Sequence, residues 1–130
     1  MPFAIAEPSL PDEILVTVSG EVSAKEMQQF MIDHRGGPER SSAFLFDISN
    51  AAIGVSADDV LMVASRGARE ARTSPMGPVA FISTSPGPFG MARMFQSFSA
   101  AEGRPTVGVF RSLEEARAWV RNLPQKDGSR

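Results

Sequence analysis

Three short, nearly all-apolar runs, separated by stretches long enough to wind helices, constrain this chain more than any other feature. They are Ala43–Ile48 (AFLFDI), Val79–Ile82 (VAFI) and Thr106–Phe110 (TVGVF). A strand can be apolar on both faces only if both are covered, as in the centre of a parallel sheet. Parallel neighbours need crossovers, and the intervening segments supply them as helices. Ahead of these runs, Phe3–Ala6 and the alternating Glu13–Ser19 (EILVTVS) read as two strands paired back on each other across a Pro8/Pro11 turn. The predicted order is β-β-α-β-α-β-α-β-α. That is an α/β fold, a mixed sheet whose central parallel strands are covered by four helices.

The helix starts are marked by their caps. Ser23 with Glu26, Ser56 with Asp59 and Ser112 with Glu115 are capping patterns, opening helices that run to about Arg35, Thr73 and Leu123. A further helix is expected near Gly90–Ala101, after a Ser83–Phe89 loop rich in hydroxyls, glycine and proline. At about 100° per residue, the helix from Ser56 gathers Ala57, Val60, Leu61, Ala64, Ala68 and Ala71 into one stripe. The Gly90 helix gathers Met91, Met94, Phe95, Phe98 and Ala101, and the last one Leu113, Ala116, Trp119, Val120 and Leu123. Stripes of this width lay helices on a sheet, so Trp119 is expected to be largely buried. One domain over residues 1–124 follows, with a polar tail at 125–130 that should fray.

Composition narrows function by exclusion. With 42% hydrophobic residues, 22% charged residues and a net charge of −2, the chain can bury a core and is too apolar for disorder. Its mild acidity argues against nucleic-acid binding through bulk positive charge. No apolar run approaches a membrane span, and no secretory leader is expected from MPFAIAEPSLPDE, so a soluble cytoplasmic protein is anticipated. Zero cysteines and one histidine exclude disulfides, thiolate metal sites and a histidine metal cage. No cofactor is expected.

Among side chains that could carry chemistry, His34 winds onto the apolar side of its helix with Met27, Phe30 and Met31, as a boundary histidine would. No Gly-x-Ser-x-Gly nucleophile turn accompanies it. Asp47 interrupts an apolar strand, so its carboxylate should emerge at the carboxyl edge of the sheet, where ligands and partners dock. There it either serves binding or accepts hydrogen bonds from nearby amides, such as those of Asn50 or Ala51. The Ser83–Gly90 segment runs into a helix N-terminus, a geometry that can receive anions, although it matches no nucleotide-binding glycine spacing.

The arginines say more. Of 13 basic residues, 11 are arginine, and Arg66, Arg69 and Arg72 follow at three-residue spacing. They wind opposite the alanine stripe, together with Met62 and Asp58. Methionine and arginine are both enriched at protein interfaces. This face is the strongest interaction candidate, for a protein partner or for self-association. Met91, Met94, Phe95 and Phe98, with Phe89 just before them, form a second candidate, a greasy lining for a small apolar ligand.

The segment FLFDISNAAIGVS (Phe44–Ser56) followed by a helix resembles the middle of STAS domains, the fold of bacterial anti-sigma-factor antagonists. In that family a buried strand ends in an Asp-Leu-Ser-like triplet, which Asp47-Ile48-Ser49 resembles, and Ser56 falls where the phosphorylatable serine would be. PFGMARMF (Pro88–Phe95) and VFRSLEEARAWV (Val109–Val120) are similar to the divergent SpoIIAA-like branch, related to Sec14-type lipid-binding domains. Val55 stands where the family has Asp before the serine, and Ala57-Asp58 does not supply its Ser-Gly pair. The resemblance implies a non-enzymatic regulatory domain that binds a protein through the Ser56–Thr73 helix and the loop before it; joined to the reading of the arginine face, this gives Met62, Arg66, Arg69, Ser56 and Asp47 as contact residues. Its Sec14 side implies the alternative, a lipid or other apolar ligand held between the Gly90 helix and the sheet.

Overall fold

A computed structural model describes residues 3–5, 13–34, 43–53, 57–73, 77–101 and 106–123. The elements run β1 (Phe3–Ile5), β2 (Glu13–Val22), α1 (Ala24–His34), β3 (Ala43–Ile53), α2 (Ala57–Thr73), β4 (Val79–Ile82), α3 (Pro86–Ala101), β5 (Val107–Phe110) and α4 (Leu113–Arg121). This is the expected order. The five strands lie in sequence order across one sheet; β1 is antiparallel to β2, and β2, β3, β4 and β5 are mutually parallel.

A sheet that grows in one direction through right-handed crossovers puts its connecting helices on one face. That face is the larger core. Val16, Val18, Phe44, Phe46, Val79 and Phe81 are buried there with Met27 of α1 and Ala92 of α3, and α2 packs between α1 and α3. Phenylalanine rings run across it from β1 to α3. Phe3 stacks on Phe30 at 4.6 Å, Phe30 meets Phe46 edge-on at 6.1 Å, Phe46 stacks on Phe81 at 5.7 Å, and Phe81 meets Phe95 at 5.6 Å.

The other face is covered by α4. Ala43, Leu45, Ala80 and Ile82 are buried with Ala116, and Leu15, Phe110, Leu113, Trp119 and Val120 pack around them. Trp119 is only partly buried, less than its place in the apolar stripe implies, because among the described residues α4 has no second helix beside it on that face. Its far side is anchored by charge instead. Arg117 donates through Nε (2.9 Å) and Nη2 (2.6 Å) to Glu13 Oε2 at the start of β2. The hydrogen bond to Glu13 raises the Arg117 pKa above its ordinary value, while partial burial opposes the shift.

Two of the three capping patterns lie in described residues, and both form. Ser23 and Glu26 exchange reciprocal bonds of 2.9 and 3.0 Å. Ser112 Oγ accepts from Glu115 N at 3.1 Å, and the Glu115 carboxylate reaches back to Arg111 N at 3.2 Å. Ser56, the third, lies outside the described residues, as do the 125–130 tail and the side chain of His34.

Strands β2 and β3 run further than expected. Their register is Thr17↔Asp47 and then Ser19↔Asn50, so β3 carries one extra residue, a bulge. Beyond it Ser19–Val22 and Asn50–Ile53 continue as a two-stranded ribbon past the last β3–β4 pair, Asp47↔Ile82. Gly20 in this ribbon has φ +76°, a left-handed conformation that glycine adopts without a Cβ penalty.

Helix α3 differs most from expectation. It begins at Pro86, because proline suits the first turn, where its missing N–H costs nothing. Gly87, Pro88 and Phe89 therefore belong to the helix. Its buried residues are Ala92 and Ser99, with Phe95 against the core and Gln96 Nε2 donating to Val107 O at 2.9 Å. That stripe is rotated by roughly 100° from the expected one, leaving Met91, Met94 and Phe98 half-buried and Ala101 exposed. Ser99 Oγ is fully buried and has no hydrogen-bond partner among the described residues. Ser99→Ala is expected to leave stability unchanged or raise it by up to about 1 kcal/mol, since an unpaired buried hydroxyl carries a desolvation cost. Urea denaturation checks this; a clear loss would mean the hydroxyl is bonded in solution.

Candidate functional site

The outer face of α2 is built by what holds its inner face. Val60 (2% exposed) and Ala64 (1%) are buried, as is Gly67 one turn on. Gln28 of α1, itself buried, donates through Nε2 to the main-chain carbonyl of Val63 at 2.9 Å. With that side fixed, the helix turns Asp58, Met62, Arg66 and Arg69 outward, all of them exposed. Met62 is 65% exposed. The side chain of Arg72 lies outside the described residues.

Leu61 corrects the sequence expectation. The periodicity puts it in the core stripe, yet it is 41% exposed. The buried direction is centred on Val60, Ala64 and Gly67, and Leu61 lies about 100° from Val60. Alanines at 68 and 71, whose side chains lie outside the described residues, had widened the apparent stripe toward it. The signal that locates Leu61 is Gly67, which marks the true inner side although it carries no side chain to count. Leu61 and Met62 thus form an adjacent exposed apolar pair on a helix whose other exposed positions, among the described side chains, are the charged Asp58, Asp59, Arg66 and Arg69. Neither a protein-family model nor a curated protein matches the chain.

The carboxyl edge of the sheet gathers Asp47 and a set of hydroxyls, and their bonds are spent locally. Asp47, half-buried beside Thr17 and Ile82, accepts from Ser49 N at 3.1 Å. The amide it takes is that of Ser49, within the bulge. Ser49 Oγ accepts from Thr84 N (3.0 Å), and Ser85 Oγ donates to Ser49 O (2.8 Å). Ser83 Oγ, fully buried, donates to Ser85 O and accepts from Ser85 N. The group stitches the β3 bulge to the β4–α3 connection.

The first turn of α3 is a poor anion receptor for a chemical reason. Pro86 and Pro88 have no N–H, and Phe89 N already bonds Ser85 O at 3.1 Å. Of those four residues only Gly87 has an N–H left to offer. Phe89 lies instead under Arg111, whose guanidinium carbon is 4.0 Å from the ring centroid, a cation–π contact. Among the described residues no helix is long and apolar enough to cross a membrane.

Proposed function

We propose that the chain is a non-enzymatic protein-interaction domain, acting in the cytoplasm, that binds its partner through the outer face of α2. The observation that carries this reading is the exposure of Leu61 and Met62, side by side and flanked by Arg66 and Arg69. An isolated apolar side chain on a surface needs no explanation. An adjacent pair set among arginines has the composition of an interface centre with a charged rim. The likeness of Asp47-Ile48-Ser49 and of the element order to STAS domains supports a regulatory role of the anti-sigma-factor-antagonist kind. Asp47 contributes by shaping the bulge ahead of α2.

A small apolar ligand between α3 and the sheet is the weaker proposal. Phe95 already meets Phe81 edge-on where such a ligand would lie, and Ala92 and Ser99 are buried on either side of it in the helix.

The test is site-specific photocrosslinking in the native host. A photoreactive residue at Met62 is expected to give discrete adducts, whereas one at Glu114, exposed on α4, gives none. Arg66→Glu combined with Arg69→Glu is expected to abolish those adducts by opposing like charges. The melting temperature should move little, because both side chains are exposed. Adducts that persist in the double variant would sink the assignment of this face.

A further inference from the structure

We infer that the face of α2 binds the α2 of a second copy of this chain, antiparallel, about a two-fold axis through Met62; this rests on the partner-binding reading of α2. The argument is the spacing of charge along the helix. Asp58 and Arg66 each lie four residues from Met62, one before and one after it. All three are exposed on one i±4 ridge, and Asp58 and Arg66 stand about 12 Å apart along the axis. A two-fold axis through Met62 therefore sets each Asp58 opposite Arg66 of the other copy and stacks Met62 on Met62. A parallel pairing would instead put Arg66 on Arg66.

The surface also has the relief such a contact needs. Leu61, Ser65 and Arg69 form a second i±4 ridge beside the first, and half-buried Ser65 leaves it low at its middle. The low middle leaves room beside Met62, so the two methionines at the axis can lie side by side while the charged ends of the ridge meet. Methionine adapts its shape to such a seat, and arginine meets a carboxylate with two parallel bonds. A self-complementary patch of this kind is what a two-fold interface requires. A contact made by one helix from each copy falls short of the roughly 1,200 Å² of a stable interface, so the pairing is weak and exchanges rapidly.

Sedimentation equilibrium from micromolar to millimolar protein, at low and high salt, reads it out. The wild type is expected to dimerise, more weakly at high salt. Asp58→Arg alone and Arg66→Asp alone each place like charges in both symmetric contacts and should weaken association by about tenfold or more. Mixed in equal amounts, the two variants oppose unlike charges at both contacts and should form a heterodimer, and the combined variant D58R/R66D should regain the homodimer. Met62→Glu, which sets two carboxylates on the axis, is a second disrupting variant should Asp58→Arg fold poorly. A wild type that stays monomeric throughout, or single variants that fail to pair when mixed, overturns the second-copy assignment. If Met62 still crosslinks to a different protein in that case, the partner-binding reading of α2 survives and only self-pairing is lost.

Discussion

Phe46→Ala is expected to lower the free energy of unfolding by about 3–5 kcal/mol, the usual range for deleting a fully buried aromatic ring. Phe46 is 0% exposed. It stands at the crossing of the ring network, stacked on Phe44 at 5.6 Å and Phe81 at 5.7 Å and meeting Phe30 of α1 edge-on. Its loss opens a cavity between β3, β4 and α1 at once, and neighbours held in a β-sheet can collapse into it only in part. Domains of this size are stable by about 5–15 kcal/mol, so the variant should be marginal. Phe46→Leu keeps much of the volume and should lose less. Urea unfolding of the two variants decides it; a loss for alanine below about 1 kcal/mol would mean that the rings are not packed as described.

That core was legible because its signal is a residue type repeated on one face. AFLF and VAFI are apolar throughout, and a parallel strand covered on both sides is what such runs form. The caps were legible for a similar reason, since Ser23/Glu26 and Ser112/Glu115 bond within four residues and need no tertiary information. The departures have the opposite character. The first turn of α3 carries glycine and two prolines, which read locally as a loop, yet Pro86 fits a helix start. The α3 stripe turned on which of several adjacent apolar residues meets the sheet; small Ala92 and Ser99 do so, while the larger Met91 and Met94 lie to the side. Periodicity weighs residues by hydrophobicity, whereas close approach of a helix to a sheet selects small ones.

The candidate site divides the same way. Met62, Arg66 and Arg69 were visible as a polar face interrupted by a methionine. Leu61 was hidden, because an apolar residue next to a core stripe is assigned to the core by default. Asp47 was visible as a break in an apolar strand, but its use depends on the bulge at Ile48/Ser49. A bulge follows from register with a neighbouring strand, and a single strand's sequence does not display it.

Gly108→Val sets two general rules against each other, and packing is expected to win. Glycine inside a strand is unfavourable, and a β-branched residue there should gain up to about 1 kcal/mol on propensity alone. Across the α4 face, however, the row Leu15, Leu45, Ala80, Gly108 shrinks in side-chain size toward β5. The space left over β5 is filled by Phe110 and Trp119, their ring centroids 5.4 Å apart. A Cβ on Gly108 would fall 2.6 and 2.8 Å from the Phe110 ring atoms Cε2 and Cζ and 3.2 Å from Trp119 Cδ2. Phe110 cannot swing away without displacing Trp119, and Trp119 helps to seat the only helix that covers this face among the described residues. Overpacking of this kind costs about 1–3 kcal/mol, more than the propensity gain, so valine should destabilise and alanine should do so less. Trp119 is the chain's one tryptophan, which makes its fluorescence a direct reporter: emission in Gly108→Val should shift to the red as the indole is pushed toward water. Adding Phe110→Leu should recover part of the loss, giving a coupling between positions 108 and 110 in a double-mutant cycle. A Gly108→Val protein more stable than the wild type, with unshifted emission, would show that α4 does not rest on β5 through these two rings.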